Sequence, residues 1–419
     1  MQIRLPFALC VLCAGLCSAQ IGAAKIKSRG EIATVLRAFN PDDDARTDDV
    51  DFALTTLLDV KAKQGPFRQA FRAFARTALV EEERSIAFVQ DAWIGYRDSR
   101  LELKAGVEIL NWTAAEAFHP ADIINSRNLD SNIENAEKLG EPLVSARVRF
   151  GTGGLTLYYL PARFAPILPG PQSRLNLAQG QAVGSVKWLN RDGSVSESPF
   201  EHQWASRLDQ TLGALDIAVH YVDHNDRNQP ALVLNLADQG IRPVFGRVRR
   251  LGTTATASIG DWLFKVEADH RAFRSWDIPM GQLGLRQLPQ NHTAAAVGLE
   301  WGWAYESDAE ATLLVEGQAM IAPDLTTEEV QQLDPFQRDI LLGYRHVYND
   351  TASTEWTLGL IADTHRWGEF IANATYSRRL ADEWGLKCSL RSVRAPHTSS
   401  LLNVYDNQHS VQLGISRFF

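Results

Sequence analysis

The sequence predicts a single closed antiparallel β-barrel that crosses a membrane on about sixteen to eighteen strands. Three observations carry that prediction. Apolar residues recur with a period of two over most of the chain. The connections between these segments alternate between long and short. The closing stretch SVQLGISRFF, Ser410 to Phe419, alternates in the same way and ends on an aromatic.

The period is plain in LELKAGVEILNW. Leu101, Leu103, Ala105, Val107 and Ile109 share one face, and Glu102, Lys104, Gly106 and Glu108 the other. In WLFKVEADHR, Trp262, Phe264, Val266 and Ala268 oppose Lys265, Glu267, Asp269 and Arg271. Successive strand side chains face opposite sides, so each segment has one apolar and one polar surface. Such segments lie near 30–39, 51–61, 67–80, 86–97, 100–112, 142–150, 155–160, 202–210 and 214–223. They continue near 247–258, 262–273, 293–304, 311–320, 337–348, 354–363, 368–379, 383–391 and 409–419. Many have the roughly ten residues that a tilted strand needs to cross a bilayer. The segment at 67–80 carries a second pattern: Phe67, Phe71, Phe74 and Ala78 also fit a helical stripe.

Long connections fall at 40–50, 113–141, 161–201, 224–246, 274–292, 321–336 and 392–408. Between them come short turns rich in Gly, Asp, Asn or Ser, among them KQGP at 63–66, GTGG at 151–154 and Ile259-Gly260-Asp261. Two further outward connections, near 81–85 and 364–367, are short. A soluble sandwich has no reason to sort its loops by parity. A membrane barrel does, with short turns on the periplasmic side and long loops outside. APDLTTEEVQQLD, 322–334, reads either as a loop helix with Asp324 as its N-cap or as a plain acidic loop.

Closure answers a physical demand. In hydrocarbon every backbone N–H and C=O must pair within the protein, so the first strand must meet the last. Val411, Leu413 and Ile415 are then expected to face lipid, with Gln412, Gly414 and Ser416 inward.

Residues 1–19, MQIRLPFALCVLCAGLCSA, read as a cleaved signal peptide: Arg4, an apolar run and small residues before Gln20. Residues 20–419 form one barrel domain. Cys10, Cys13 and Cys17 leave with the leader, so Cys388 remains alone and no intrachain disulfide is expected. The net charge of −8 makes nucleic acid a poor partner. No tandem repeat or low-complexity tract interrupts the chain.

Residues 93–150 contain a strand ending in Trp112, then Asp122-Ile123-Ile124-Asn125 and Lys138-Leu139-Gly140-Glu141-Pro142, followed by LYYLPARFAPILPGPQSRL. This arrangement resembles a family of uncharacterised, porin-like proteobacterial outer-membrane β-barrels, although Thr113 stands where that family usually has Gly. The alternating end on Phe419 resembles the terminal signal read by the Gram-negative barrel assembly machinery. The resemblance implies an outer-membrane barrel bathed in lipid; it implies no solute.

The inward face is where function is expected. Arg68, Arg72 and Arg76 share one face of a strand and are the predicted eyelet. Asp91, Glu102, Lys104, Glu108, Arg147, Arg149, Lys265 and Glu267 are expected to line the pore with them. These charges set selectivity or else pair across strands. The 113–141 loop mixes apolar and polar residues and is the candidate inward constriction, with His119, Asp122, Asn125 and Lys138; the other reading is a Pro-stiffened outer loop. FAPILPG, 164–170, is placed beside it or against lipid. Asp223-His224-Asn225-Asp226 reads as a solvated turn. The ten histidines are scattered, and no HExxH, CxxC or GxSxG motif occurs. His270 and His346 are expected to be interfacial. No cofactor, metal or catalytic residue is assigned.

The expected function is a passive outer-membrane pore for small polar solutes. The alternatives are an export or lipid-transfer conduit with a periplasmic partner, favoured if Leu110, Trp112, Leu263 and Leu314 reach the lumen, an enzyme acting on envelope lipid, or a sealed structural barrel.

Overall fold

A computed structural model describes residues 24–41, 47–134, 136–176 and 180–419. The leader lies outside the described residues. Eighteen strands close into one antiparallel barrel. In chain order they are β1 (Lys25–Phe39), β2 (Val50–Gln64), β3 (Phe67–Ala78), β4 (Ile86–Arg97), β5 (Leu101–Glu108) and β6 (Glu141–Phe150). Next come β7 (Gly153–Ala162), β8 (Phe200–Leu212), β9 (Leu215–Asn235), β10 (Ile241–Ile259), β11 (Trp262–Phe273) and β12 (His292–Ala304). The last six are β13 (Glu310–Ile321), β14 (Arg338–Val347), β15 (Glu355–Asp363), β16 (Phe370–Ala381), β17 (Trp384–Arg394) and β18 (His409–Phe418).

Each strand pairs with its sequence neighbours, and β18 pairs with both β17 and β1. Closure ends where Gly30 N–H donates to Phe419 O at 2.8 Å and Phe419 N–H donates to Gly30 O at 3.0 Å. A side chain at residue 30 would collide with the Phe419 ring, since an added Cβ would lie 2.2 Å from it. Glycine lets the exposed Phe419 ring lie flat over the seam; a larger residue would displace that ring.

The alternating pattern becomes two surfaces. Ile32, Leu36, Val144, Leu157, Val297, Leu342, Val411 and Leu413 stand exposed on the outside. In water that would be a hazard; against acyl chains it is the required covering. Near the short-turn end the wall carries an aromatic girdle: Trp262 stacks on Trp301 at 5.6 Å, Trp301 meets Trp303 at 4.7 Å, and Trp356 meets Tyr376 at 4.8 Å. Amphipathic rings suit this interfacial depth. His346 is part of the girdle and shares a 3.0 Å hydrogen bond with the Tyr344 hydroxyl. His270 faces Thr293 Oγ1 at 3.0 Å.

Residues 67–78 keep the expected strand, and the helical stripe in them is not used, because β2 and β4 flank them and satisfy their backbone. Several expected details change. The connection expected at 224–246 is mostly strand: β9 and β10 run on as a tall hairpin, with a register shift between Asn225 and Pro230. There His224, Asn225, Asp226 and Arg227 are fully buried rather than in a solvated turn. Their backbone is covered on both faces, so hydropathy no longer alternates. The external helix is a single turn, Thr327–Val330, and its N-cap is Thr326 rather than Asp324. Thr326 and Glu329 exchange the reciprocal hydrogen bonds of a capping box, which Asp324 is too far upstream to make. Cys388 is a free, partly exposed thiol.

Candidate functional site

The long connection after β5 leaves the wall at Glu108 and folds into the barrel. All four residues of the Asp122–Asn125 motif explain why it does so stably. Asn125 Oδ1 accepts from Leu110 N–H at 2.9 Å, and Asn125 Nδ2 donates to Leu139 O at 2.9 Å, so one amide staples both ends of the loop. Ile123 and Ile124 pack with Leu110, Trp112, Leu143, Leu160, Ala205 and Val222 in a buried apolar cluster. Asp122 receives Arg127 Nη2 at 2.7 Å and Lys138 Nζ at 2.6 Å.

The second motif brings the loop back to the wall. An added Cβ at Gly140 would sit 2.3 Å from Gln90 O, so only glycine allows this close return. Glu141 is fully buried; it accepts from Ser126 N–H at 3.0 Å and from Arg227 Nε at 2.9 Å. FAPILPG lies beside the loop: Leu129 N–H donates to Ile167 O at 2.9 Å and Ile167 N–H to Arg127 O at 3.0 Å.

At its tip the loop reaches the opposite wall. Two fully buried carboxylates, Glu267 on β11 and Glu316 on β13, receive its backbone amides. Glu267 accepts from Ala114, from Ala115 at 2.8 Å and from Ala121 at 3.1 Å. Glu316 accepts from Glu116 at 2.6 Å and Ala117 at 2.9 Å. Hydrogen bonds to a charged acceptor are about twice as strong as neutral ones. Lys265 Nζ binds Glu116 at 2.7 Å and also Glu300. Farther along, Asn373 donates to Glu134 at 2.8 Å and Arg391 to Asn132 at 2.6 Å, so the loop also touches β16 and β17. It crosses the lumen about halfway down β11 and β13.

Beside the crossing lies a polar cavity of about 500 Å³, lined by Asn111, Thr113, Glu116, His119, Asp122 and Lys138 among others. Burial lowers the pKa of His119 to about 4, against the opposing pull of Asp122. Its Nδ1 is buried without a partner among the described residues. The imidazole is thus neutral in the docked loop at pH 5 to 7, while an undocked loop protonates it near the ordinary value of about 6.5. Docking therefore weakens as pH falls from about 6.5 toward about 4, and levels off below. The amide protection factor across residues 113–122, taken relative to the intrinsic exchange rate at each pH, is expected to fall over that window in wild type, and to fall less in His119→Gln.

The predicted lumen charges divide into two groups. Arg68 and Arg72 lie on the inner face of β3 and bind no acid within ion-pair distance among the described residues. Arg76 does not join them in an eyelet. It is buried, and its Nε donates to Arg84 O at 2.9 Å, beside the Arg84–Asp51 pair. Most acids are engaged. Asp91 accepts from Ile109 N–H at 3.2 Å; Glu108 pairs with Lys104; Glu102 pairs with Arg149. Arg147 makes a two-pronged pair with Asp209, with one contact at 2.7 Å. Lys265 and Glu267 are buried under the loop rather than open to the lumen. Leu110 and Trp112 are buried in the apolar cluster, so they offer no lining to a lipid conduit. Among the described residues no group of three or more His, Cys, Asp or Glu is arranged to hold a metal ion.

The sequence pattern assigned no role to Glu316 and gave no sign of the Glu141–Arg227 pair. Glu141 sits inside a recognisable motif, but nothing in the spacing points to Arg227.

No protein-family model matches the chain, and no curated protein does. Solved structures do. The chain is similar to Pseudomonas aeruginosa OccK2 (OpdF), with a TM-score of 0.56 at 10% identity over 94% of this chain and 98% of that one. Acinetobacter baumannii OccAB1 gives 0.54 at 7% identity, over 94% and 96%. A BenF-like porin from Pseudomonas fluorescens Pf-5 gives 0.53 at 8%, over 94% and 98%. At these identities the likeness is one of fold. The chain has a porin-like barrel fold, and such a barrel fits the bacterial outer membrane.

Proposed function

We propose that the protein is a passive channel for small polar solutes, narrowed at mid-height by the 109–140 loop. The observation that carries this reading is the pair of buried carboxylates that hold five loop amides across the lumen. Eighteen strands enclose more space than wall side chains fill. Such a channel requires a passage along the β3 wall, where Arg68 and Arg72 share the inward parity of the strand.

The charge state of that wall supports a sharper reading. Arg68 makes no ion pair among the described residues, Arg72 stands directly opposite Asp59 and Asp91, and Glu102, Glu108 and Asp209 are paired with neighbouring cations. On this wall the inward-parity cations Lys61, Lys63, Arg68 and Arg72 outnumber Asp59 and Asp91, a balance that favours anions. In planar bilayers under a salt gradient, the reversal potential is expected to indicate anion preference. Arg68→Glu with Arg72→Glu is expected to shift it several-fold toward cations. A barrel that conducts no ions in either form would sink the channel reading. Conduction that ignores the double substitution would remove these two arginines from the path.

A further inference from the structure

The periplasmic end of β1 overhangs the seam. β18 stops pairing at Phe419, opposite Gly30, whereas β1 continues through Lys25–Arg29 and pairs there only with β2. Gly30 exchanges both of its hydrogen bonds with Phe419. Backbone direction alternates along a strand, so Ser28 and Ile26 aim their N–H and C=O groups the same way, past the end of β18. Among the described residues nothing pairs with that edge.

The side chains of this overhang are unusual in sign. Lys25 lies directly opposite Lys63, which lies directly opposite Arg68 on β3. Lys27 lies directly opposite Lys61. All five share the inward parity of their strands. The nearby acids lie toward mid-barrel: Asp59, 3.4 Å from Lys61 Nζ, and Asp91, whose charge also reaches Lys61. Like charges placed directly opposite each other on a sheet destabilise it. Two such rows in succession call for negative charge from outside.

We propose that Lys25–Arg29 is a docking edge for an extended acidic segment of a periplasmic protein. The segment adds a strand to β1 through the free groups of Ile26 and Ser28, its alternate carboxylates stand directly opposite Lys25 and Lys27, and Lys61 and Lys63 on the next strand add to the positive field. Main-chain hydrogen bonds supply affinity in this kind of strand addition, and side-chain pockets supply specificity. The same lysines repel basic edges and discourage the barrel from pairing with its own kind. Charge complementarity therefore selects the partner, and the edge requires it to be extended.

The test is binding, read without reference to conductance, so its failure leaves the channel reading intact. The full-length barrel in detergent is titrated with a fluorescent decapeptide of alternating Glu and Val, and anisotropy is followed at several salt concentrations. Two variants separate charge from strand pairing. Lys25→Glu with Lys63→Glu reverses the outermost row. Ser28→Pro removes one edge donor and leaves every charge in place; proline is tolerated on an edge strand. The expected result is salt-sensitive binding that weakens about tenfold or more in each variant, with free glutamate failing to displace the peptide. Absence of binding overturns the proposal. So does full affinity in Ser28→Pro, or displacement by free glutamate, either of which makes the patch a site for small anions. Gel mobility before and after heating checks that each variant forms the barrel.

Discussion

Replacing Glu267 and Glu316 together by alanine is expected to raise single-channel conductance several-fold and to expose the 113–121 segment to added protease. Five backbone amides lose their acceptors at once. Hydrogen bonds to a charged group are worth about 1.5–3 kcal/mol each. These do not add fully, because two carboxylates serve one short stretch, but the docked loop loses several kcal/mol. The tip then leaves the opposite wall. Its base remains stapled by Asn125 and by the Ile123–Ile124 cluster, so the barrel is expected to stay closed. The Gln versions keep the shape and one set of acceptors and should fall between. Wild-type conductance together with unchanged protease resistance would show that the loop does not set the bore.

Arg227→Ala is expected to be the most damaging single change to stability. Arg227 and Glu141 are both fully buried and paired at 2.9 Å. Arg227 also donates to Asn225 O at 2.6 Å, and Glu141 caps Ser126 at the base of the loop. Removing the arginine leaves a buried carboxylate without its counter-charge, a loss of about 3–5 kcal/mol. The temperature at which the barrel loses its folded gel mobility should drop clearly. Arg227→Met combined with Glu141→Gln removes both charges at similar volume and should recover most of that loss. Should the single variant unfold at the wild-type temperature, Arg227 and Glu141 are not coupled in the folded barrel.

How much was legible in the sequence varies with the kind of interaction. Every one of the eighteen barrel strands corresponds to an alternating segment, because two-faced burial between lipid and lumen writes itself into each strand separately. The rule failed where burial was not two-faced. Residues 224–235 are covered on both sides, so polar residues such as His224 and Asp226 sit inside and break the pattern. Trp112 alternates correctly with Leu110, yet both leave the wall, because Asn125 pulls Leu110 into the loop. Arg68, Arg72 and Arg76 look equivalent by spacing. Only Arg76 meets the turn at Glu82–Arg84 and is buried by it.

Local pattern was enough for the barrel, its strand order and the alternation of long and short connections, and it left the 113–141 loop between an inward constriction and an outer loop. These follow from local period and from the length of each connection, which neighbouring residues specify. Tertiary structure alone decided which charges are free and which are spent. Ala114 meets a carboxylate 153 residues away, and Asn373 meets Glu134 across 239. Contacts at such separations depend on where closure places each strand around the ring, and no short stretch of sequence encodes that angle.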